Sequence, residues 1–124
     1  MIDTAKTIWE NIATQFNEAG YEFYPPATKT GECKSRYIVC KASGVSPIGS
    51  FSSEVHYYTF MLYVPKNQYT ELERFKKEVK ELINKKLYPL LIDLGSETPD
   101  FYDEEVKAHM VSLMYRNSVR NPKL

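Results

Sequence analysis

The run from residue 54 to 64, Glu-Val-His-Tyr-Tyr-Thr-Phe-Met-Leu-Tyr-Val, constrains the fold of this chain more than any other stretch. Aromatic and β-branched residues crowd it, which is the composition of a strand. Pro65 follows and removes a ladder donor, so the strand is expected to end there. Side chains alternate across a strand. Val55, Tyr57, Thr59, Met61 and Tyr63 therefore share one face, and His56, Tyr58, Phe60, Leu62 and Val64 share the other. Neither face is polar, so each needs cover.

Two helices are predicted to supply part of it. Over residues 4–19, Ala5, Ile8, Trp9, Ile12, Ala13 and Phe16 recur at the spacing of a single buried stripe. Asp3 or Thr4 is placed to cap that helix and Gly20 to end it, with Lys6, Glu10, Asn11, Gln15, Asn17 and Glu18 facing water. A second helix starts near Thr70, where Thr70 and Glu73 have capping-box spacing, and carries Leu72, Phe75, Val79, Leu82 and Ile83 inward. Glu73–Lys77 and Glu81–Lys85 are expected to pair one turn apart on its wet face. Pro89 ends it, and a short extra turn through Leu90, Leu91 and Leu94 closes at Gly95.

The remaining segments read as strands and connections. Residues 21–24 form a short strand cut off by Pro25 and Pro26, a loop spans 27–32, and a second strand spans 34–42. Residues 43–53 are rich in Ser, Gly and Pro but contain Val45, Ile48 and Phe51. They read either as a mobile hairpin loop or as an arm with apolar anchors for a neighbour. An acidic stretch, 93–105, precedes a last strand over 106–115. Its Val106, Ala108, Met110 and Met114 face one way, and Val111, Leu113 and Tyr115 the other. A basic tail with Arg116, Arg120 and Lys123 is expected to fray. The order is α-β-β-β-α-β: an α+β fold with a three- to four-stranded antiparallel sheet and both helices on one face.

Length and composition narrow the function mainly by exclusion. A chain of 124 residues is expected to be one domain, 1–124, extended from about residue 117. Sixteen basic residues balance sixteen acidic ones, which argues against a nucleic-acid or anionic-membrane partner. The ten tyrosines suit an interface, although some of them could simply edge the core. The first residues lack a signal-peptide pattern, and no apolar run is long enough to span a bilayer, so a cytoplasmic origin is expected. Cys33 and Cys40, if both on one strand, would point to opposite faces and stay reduced.

Catalytic signals are sparse. His56 and His109 fall in strands without ligand-spaced neighbours, and no base stands near either cysteine in sequence. Asp93, Glu97, Asp100 and Asp103 lack the glycine and terminal glutamate of a calcium loop, and the five glycines form no phosphate cradle. Neither enzyme activity nor any metal or cofactor is expected. A sheet with helices on one face ordinarily turns a polar face to water. Here both faces are apolar, which predicts a partner.

Residues 57–65 followed by Asn67-Gln68-Tyr69 and a helix resemble small proteins that Firmicutes phages and prophages encode between their head and tail genes. So does Pro99-Asp100-Phe101, leading through Asp103 to Lys107-Ala108-His109-Met110 and a strand ending Tyr115-Arg116. The likeness covers most of the chain from about Tyr37 to Arg116 and is one of pattern and spacing. The class it implies is the tail terminator, or tail completion, family. Such proteins have an α/β fold with helices on a sheet and assemble as hexameric rings that cap the tail tube and meet the head connector. The resemblance implies a virion protein assembled in a bacterial cytoplasm. Its partners would be copies of itself, the tube protein, a sheath if the tail contracts, and neck proteins, with DNA as passing cargo and no membrane. Another neck component, an adaptor or stopper, is the neighbouring alternative, and a stand-alone binding module is a third. In such a ring the interface candidates are Val45, Ile48, Phe51, Tyr57, Met61, Tyr63, Arg116 and Arg120. Asp100, Asp103 and Glu104 would line the lumen, repelling DNA.

Overall fold

The computed structural model describes residues 5–48 and 50–120, without the side chains of residues 47–53 and 118–120. Two long strands form its spine. β3 (Ser50–Pro65) and β6 (Ala108–Arg120) pair antiparallel without a break from Ser53↔Arg120 to Pro65↔Ala108. β2 (Tyr37–Ile48) pairs antiparallel with the other side of β3, and the short β1 (Phe23–Tyr24) adds in parallel to β2. β4 (Ile92–Glu97) and β5 (Phe101–Asp103) pair in turn along the outer edge of β6. The sheet therefore has six strands in the order β1-β2-β3-β6-β4, with β5 also on β6. It is mixed, not the antiparallel three- to four-stranded sheet expected, and the element order gains two strands after the second helix.

Three expectations change for identifiable reasons. Residues 43–53 are not a loop: β2 and β3 continue through them as a hairpin arm, and β6 follows to Arg120 instead of fraying after Tyr115. A bulge between Ala42 and Gly44 (φ 128°) absorbs the local irregularity. Pro47, paired with Glu54, lies beyond the two residues of β2 that β1 covers, so β2 is an edge strand there, where proline is tolerated. The turn expected through Leu94 is instead β4, since the free edge of β6 offers backbone partners. Gly95 (φ 79°) bends β4 there, and its N–H donates to Asp93 Oδ1 at 2.7 Å. The acidic segment is thus mostly edge strand.

The helices are α1 (Ile8–Glu18) and α2 (Glu71–Leu82). The cap of α1 is Thr7, not Asp3 or Thr4. Its hydroxyl accepts from Glu10 N at 3.1 Å while Glu10 Oε1 accepts from Thr7 N at 2.8 Å, a complete capping box. Asn11 and Gln15, expected in water, are buried at 4% and 5% exposure, so α1 sits deeper than its stripe suggests. Gly20 ends it at φ 87°. The capping box expected at Thr70 is not made; a 3-10 turn over Lys66–Gln68 leads in, and Leu72 N donates to Tyr69 O. α2 runs on into a π turn, Ile83–Leu87. Val79, Ile83, Leu87 and Leu91, all fully buried, recur every four residues. A helix of about 3.6 residues per turn would let that row drift around its axis, and the wider π turn holds it against the sheet.

Both helices pack on one sheet face. Ile12, Phe16, Leu72, Phe75 and Val79 meet Ile38, Cys40, Phe60, Leu62, Leu113 and Tyr115 in one core. Phe16 stacks on Phe23 at 5.0 Å and meets Phe60 at 5.6 Å; Phe60 meets Tyr115 edge-on at 5.5 Å. Cys40 belongs to this core and Cys33 to a smaller cluster across the sheet, and both are free. No helix among the described residues is long and apolar enough to cross a membrane.

Removing the aromatic at the junction of these layers tests the arrangement. Phe60→Ala is expected to lower the unfolding free energy by about 3–5 kcal/mol. Thr7→Ala, at the exposed cap, should lower it by about 1 kcal/mol. Urea titrations of both variants check the ranking.

Candidate functional site

The sheet face away from the helices is built in rows fixed by register. Tyr37, Tyr63 and Met110 lie side by side, then Val39, Met61 and Ser112, then Lys41, Thr59 and Met114, then Tyr57 beside Arg116. One end is roofed. Cys33 N donates to Val106 O at 2.7 Å, and Cys33, Tyr37 and Ala108 cluster with Tyr24, Val39, Tyr63 and Val106. Tyr37 stacks on Tyr63 at 4.7 Å, and the Lys29 ammonium stands 5.5 Å from the Tyr37 ring centre. Toward the arm this cluster stops: Tyr57, Thr59, Met61 and Met114 are half-buried, Val55 at the arm end of the same row is buried, and both helices pack on the other face. Tyr57 reaches along the arm, its hydroxyl 2.9 Å from Ser46 Oγ.

Of the interface candidates, Tyr57, Met61, Tyr63 and Arg116 are brought onto this face, Tyr63 under the roof and the others beyond it. Val45 pairs with His56 and so lies on the helix side of the arm, where it is 55% exposed. The side chains of Ile48, Phe51 and Arg120 lie outside the described residues. The lumen candidates sit together at the β5 edge. Asp100 accepts from the Tyr69 hydroxyl at 2.9 Å, Asp103 accepts from Glu105 N at 3.0 Å, and Glu104 is exposed.

Two constellations escaped the sequence. Glu97 of β4 accepts from Lys76 at 3.1 Å and also from Lys80, so two lysines of α2 hold the edge strand. Lys76 and Lys80 are one turn apart, which was the available signal, but their partner lies outside α2. The second is a cleft of about 360 Å³ where α2 begins. Leu72 and Val111 form its floor, and Tyr69, Thr70, Lys76 and Asp100 its rim. Beside it His109 lies between the rings of Tyr69 (4.8 Å) and Tyr102 (5.1 Å), with Nε2 3.1 Å from Lys66 O.

Burial acts on several thiols and phenols. Burial pushes the Cys33 thiol up to about 11 and the Cys40 thiol further, so neither is a thiolate at neutral pH. Burial also raises Tyr37, Tyr63 and Tyr115, and together with a hydrogen bond to Glu78 takes Tyr21 to about 12. His56 pairs with Glu54 at 3.2 Å. Among the described residues no group of three or more His, Cys, Asp or Glu is placed to hold a metal ion. What the arrangement offers is a surface of neutral tyrosine and methionine, suited to packing.

The Glu97 clamp is open to test by pH. The hydrogen bond from Lys80, with that from Lys76, holds the Glu97 carboxyl below its ordinary value of 4.5. A carboxylate with a lowered folded-state pKa stabilises the fold fully above the unfolded value, and that gain fades as pH falls through the lowered one. Glu97→Gln should therefore weaken the protein near neutrality and flatten its pH dependence below 4.5. Thermal melts across pH check the sign, and faster amide exchange in β4 locates it. No protein-family model and no curated protein matches the chain, so the reading of this site rests on its residues and geometry.

Proposed function

We propose that this chain is a structural subunit that works as a closed oligomer, a tail terminator ring capping the tube of a phage or phage-tail-like particle. The observation that carries the reading is the half of the second sheet face beyond the roof, with Tyr57, Thr59, Met61 and Met114 half-buried. A single chain leaves such a face wet at a cost that a neighbouring copy removes. The resemblance of residues 57–69 and 99–116 to tail terminators supplies the class of assembly. The β2–β3 arm, reaching past the helices, supplies a means of contact beyond the face. The protein binds its tube partner as a ring, stops further polymerisation and presents its other side to the neck.

Sedimentation velocity and native mass spectrometry at tens of micromolar test this directly. A discrete closed oligomer, hexameric on the family likeness, is the expected result. Met61→Glu on the open face should shift the population to monomer without unfolding it. Added to polymerising tube protein, the wild type should limit tube length while the variant does not. A monodisperse monomer with no affinity for tube protein overturns the reading.

A further inference from the structure

We infer that residues 25–35 form a strap that lifts while the rest of the fold stays intact, and that lifting it lengthens the apolar sheet face open to a second copy of this chain. The opening stands on the chain alone; the identity of the incoming surface rests on the self-assembly reading above. The strap connects β1 to β2, and none of it belongs to a helix or strand. Of its residues, Cys33 is buried and Lys29 half-buried, and the others are exposed. Its ties to the sheet are correspondingly few. Cys33 N donates to Val106 O at 2.7 Å, and the Ser35 hydroxyl donates to Glu22. The Lys29 ammonium stands 5.6 Å from the centre of the Tyr24 ring and 5.5 Å from that of Tyr37, within reach of both ring faces.

A segment with one buried side chain and little regular backbone pairing is the kind that opens by itself, ahead of the core. Ala27 adds to this, since its φ of 65° lies in the left-handed region that an alanine disfavours, so the closed strap is held against a local cost. What lies beneath has its own support. Tyr37 is fixed opposite Tyr63 in the β2–β3 ladder, and Ala108 opposite Pro65 in the β3–β6 ladder. The helices pack on the other face, over Ile38, Cys40, Phe60 and Leu62. Lifting the strap therefore leaves the helical core whole and uncovers Tyr37 with the Tyr63 ring stacked on it at 4.7 Å. Tyr63 is two residues from Met61 on the same face of β3, so the uncovered rings continue the surface of Tyr57, Thr59, Met61 and Met114. The closed strap is thus an autoinhibitory cover, and a second copy gains the longer face from the open population alone. Lys29 is the latch, because its charge can be removed without touching the backbone or the core.

Thiol labelling tests the strap, and sedimentation tests the cover. Cys33 belongs to the strap and Cys40 to the helical core of the same chain, so Cys40 reports global unfolding. Under native conditions iodoacetamide should modify Cys33 at least about 100-fold faster than Cys40, read by peptide mass spectrometry. Lys29→Met keeps the aliphatic stem and removes the charge; it should speed Cys33 labelling roughly three- to tenfold and leave Cys40 unchanged, while Lys29→Arg stays near the wild-type rate. Equal rates at the two cysteines, or a Lys29→Met rate no faster than the wild type's, overturns the strap. In sedimentation velocity, Lys29→Met should tighten self-association by about the factor by which it speeds labelling. A variant that opens faster yet associates no more tightly overturns the cover and leaves the self-assembly reading standing. Wild type and variant that are both monomeric overturn that reading and the cover with it, while the strap is still decided by the Cys33 rates.

Discussion

The unbroken ladder between β3 and β6 is the interaction on which everything else depends. It sets two long strands side by side, and each turns several apolar residues to both faces. Alternation alone does not specify such a pair, because a slip of one residue still buries apolar side chains on either side. What pins it is shape. Phe60 has to lie between Phe16 and Tyr115, and Tyr63 has to stack on Tyr37 across the sheet. The helical face is filled by Phe, Leu and Val that exclude water entirely, whereas the other takes Tyr, Met and Thr that tolerate it. Pro65 and Lys107 (φ 52°) close the same end of the ladder and leave no room for a shift there.

How much of this was legible follows from where the information lies. The α1 stripe and the two faces of β3 could be read because their periods sit within one short segment. Thr7 was missed because Asp3, Thr4 and Thr7 are all capping residues and only the geometry of Glu10 chooses among them. β4 was missed because Leu90, Leu91 and Leu94 mimic a helical turn, while the decisive factor is the vacant edge of β6, distant in sequence. The arm was half-read: its apolar residues stood out, but serine, glycine and proline concealed a strand that borrows its order from β3 and β6. The cleft was invisible, since Tyr69, Leu72, Asp100 and Val111 come from four separate places in the chain.

The edges and the face of the sheet are treated differently. Beyond Ile38 and Val39, which β1 covers, the outer side of β2 carries Lys41, a bulge at Ser43 and Pro47. The opposite edge is short, bent at Gly95, broken by Pro99 and lined with carboxylates. Charge, proline and bulges are the usual means of preventing strand-to-strand aggregation. No such device protects the middle of the open face, where Met61 and Met114 sit among Val39, Thr59 and Tyr57. Strand-to-strand growth through the edges is discouraged, and the face carries no comparable guard.

The residue types on that face also limit how strong any one contact is. A row of leucine and isoleucine in those positions would make a stickier patch. Tyrosine keeps a hydroxyl in water while its ring waits for cover, and methionine adapts to an irregular surface but loses rotamer freedom when it is fixed there. In the proposed assembly each such contact would be modest, and a linear pair would hold only weakly. Closure changes the arithmetic, because the last copy makes two contacts for one loss of freedom and its second contact forms at high effective concentration. In the proposed ring, a surface weak in pairs and strong in a closed set would let the chain wait as a monomer and commit only when the whole assembly forms.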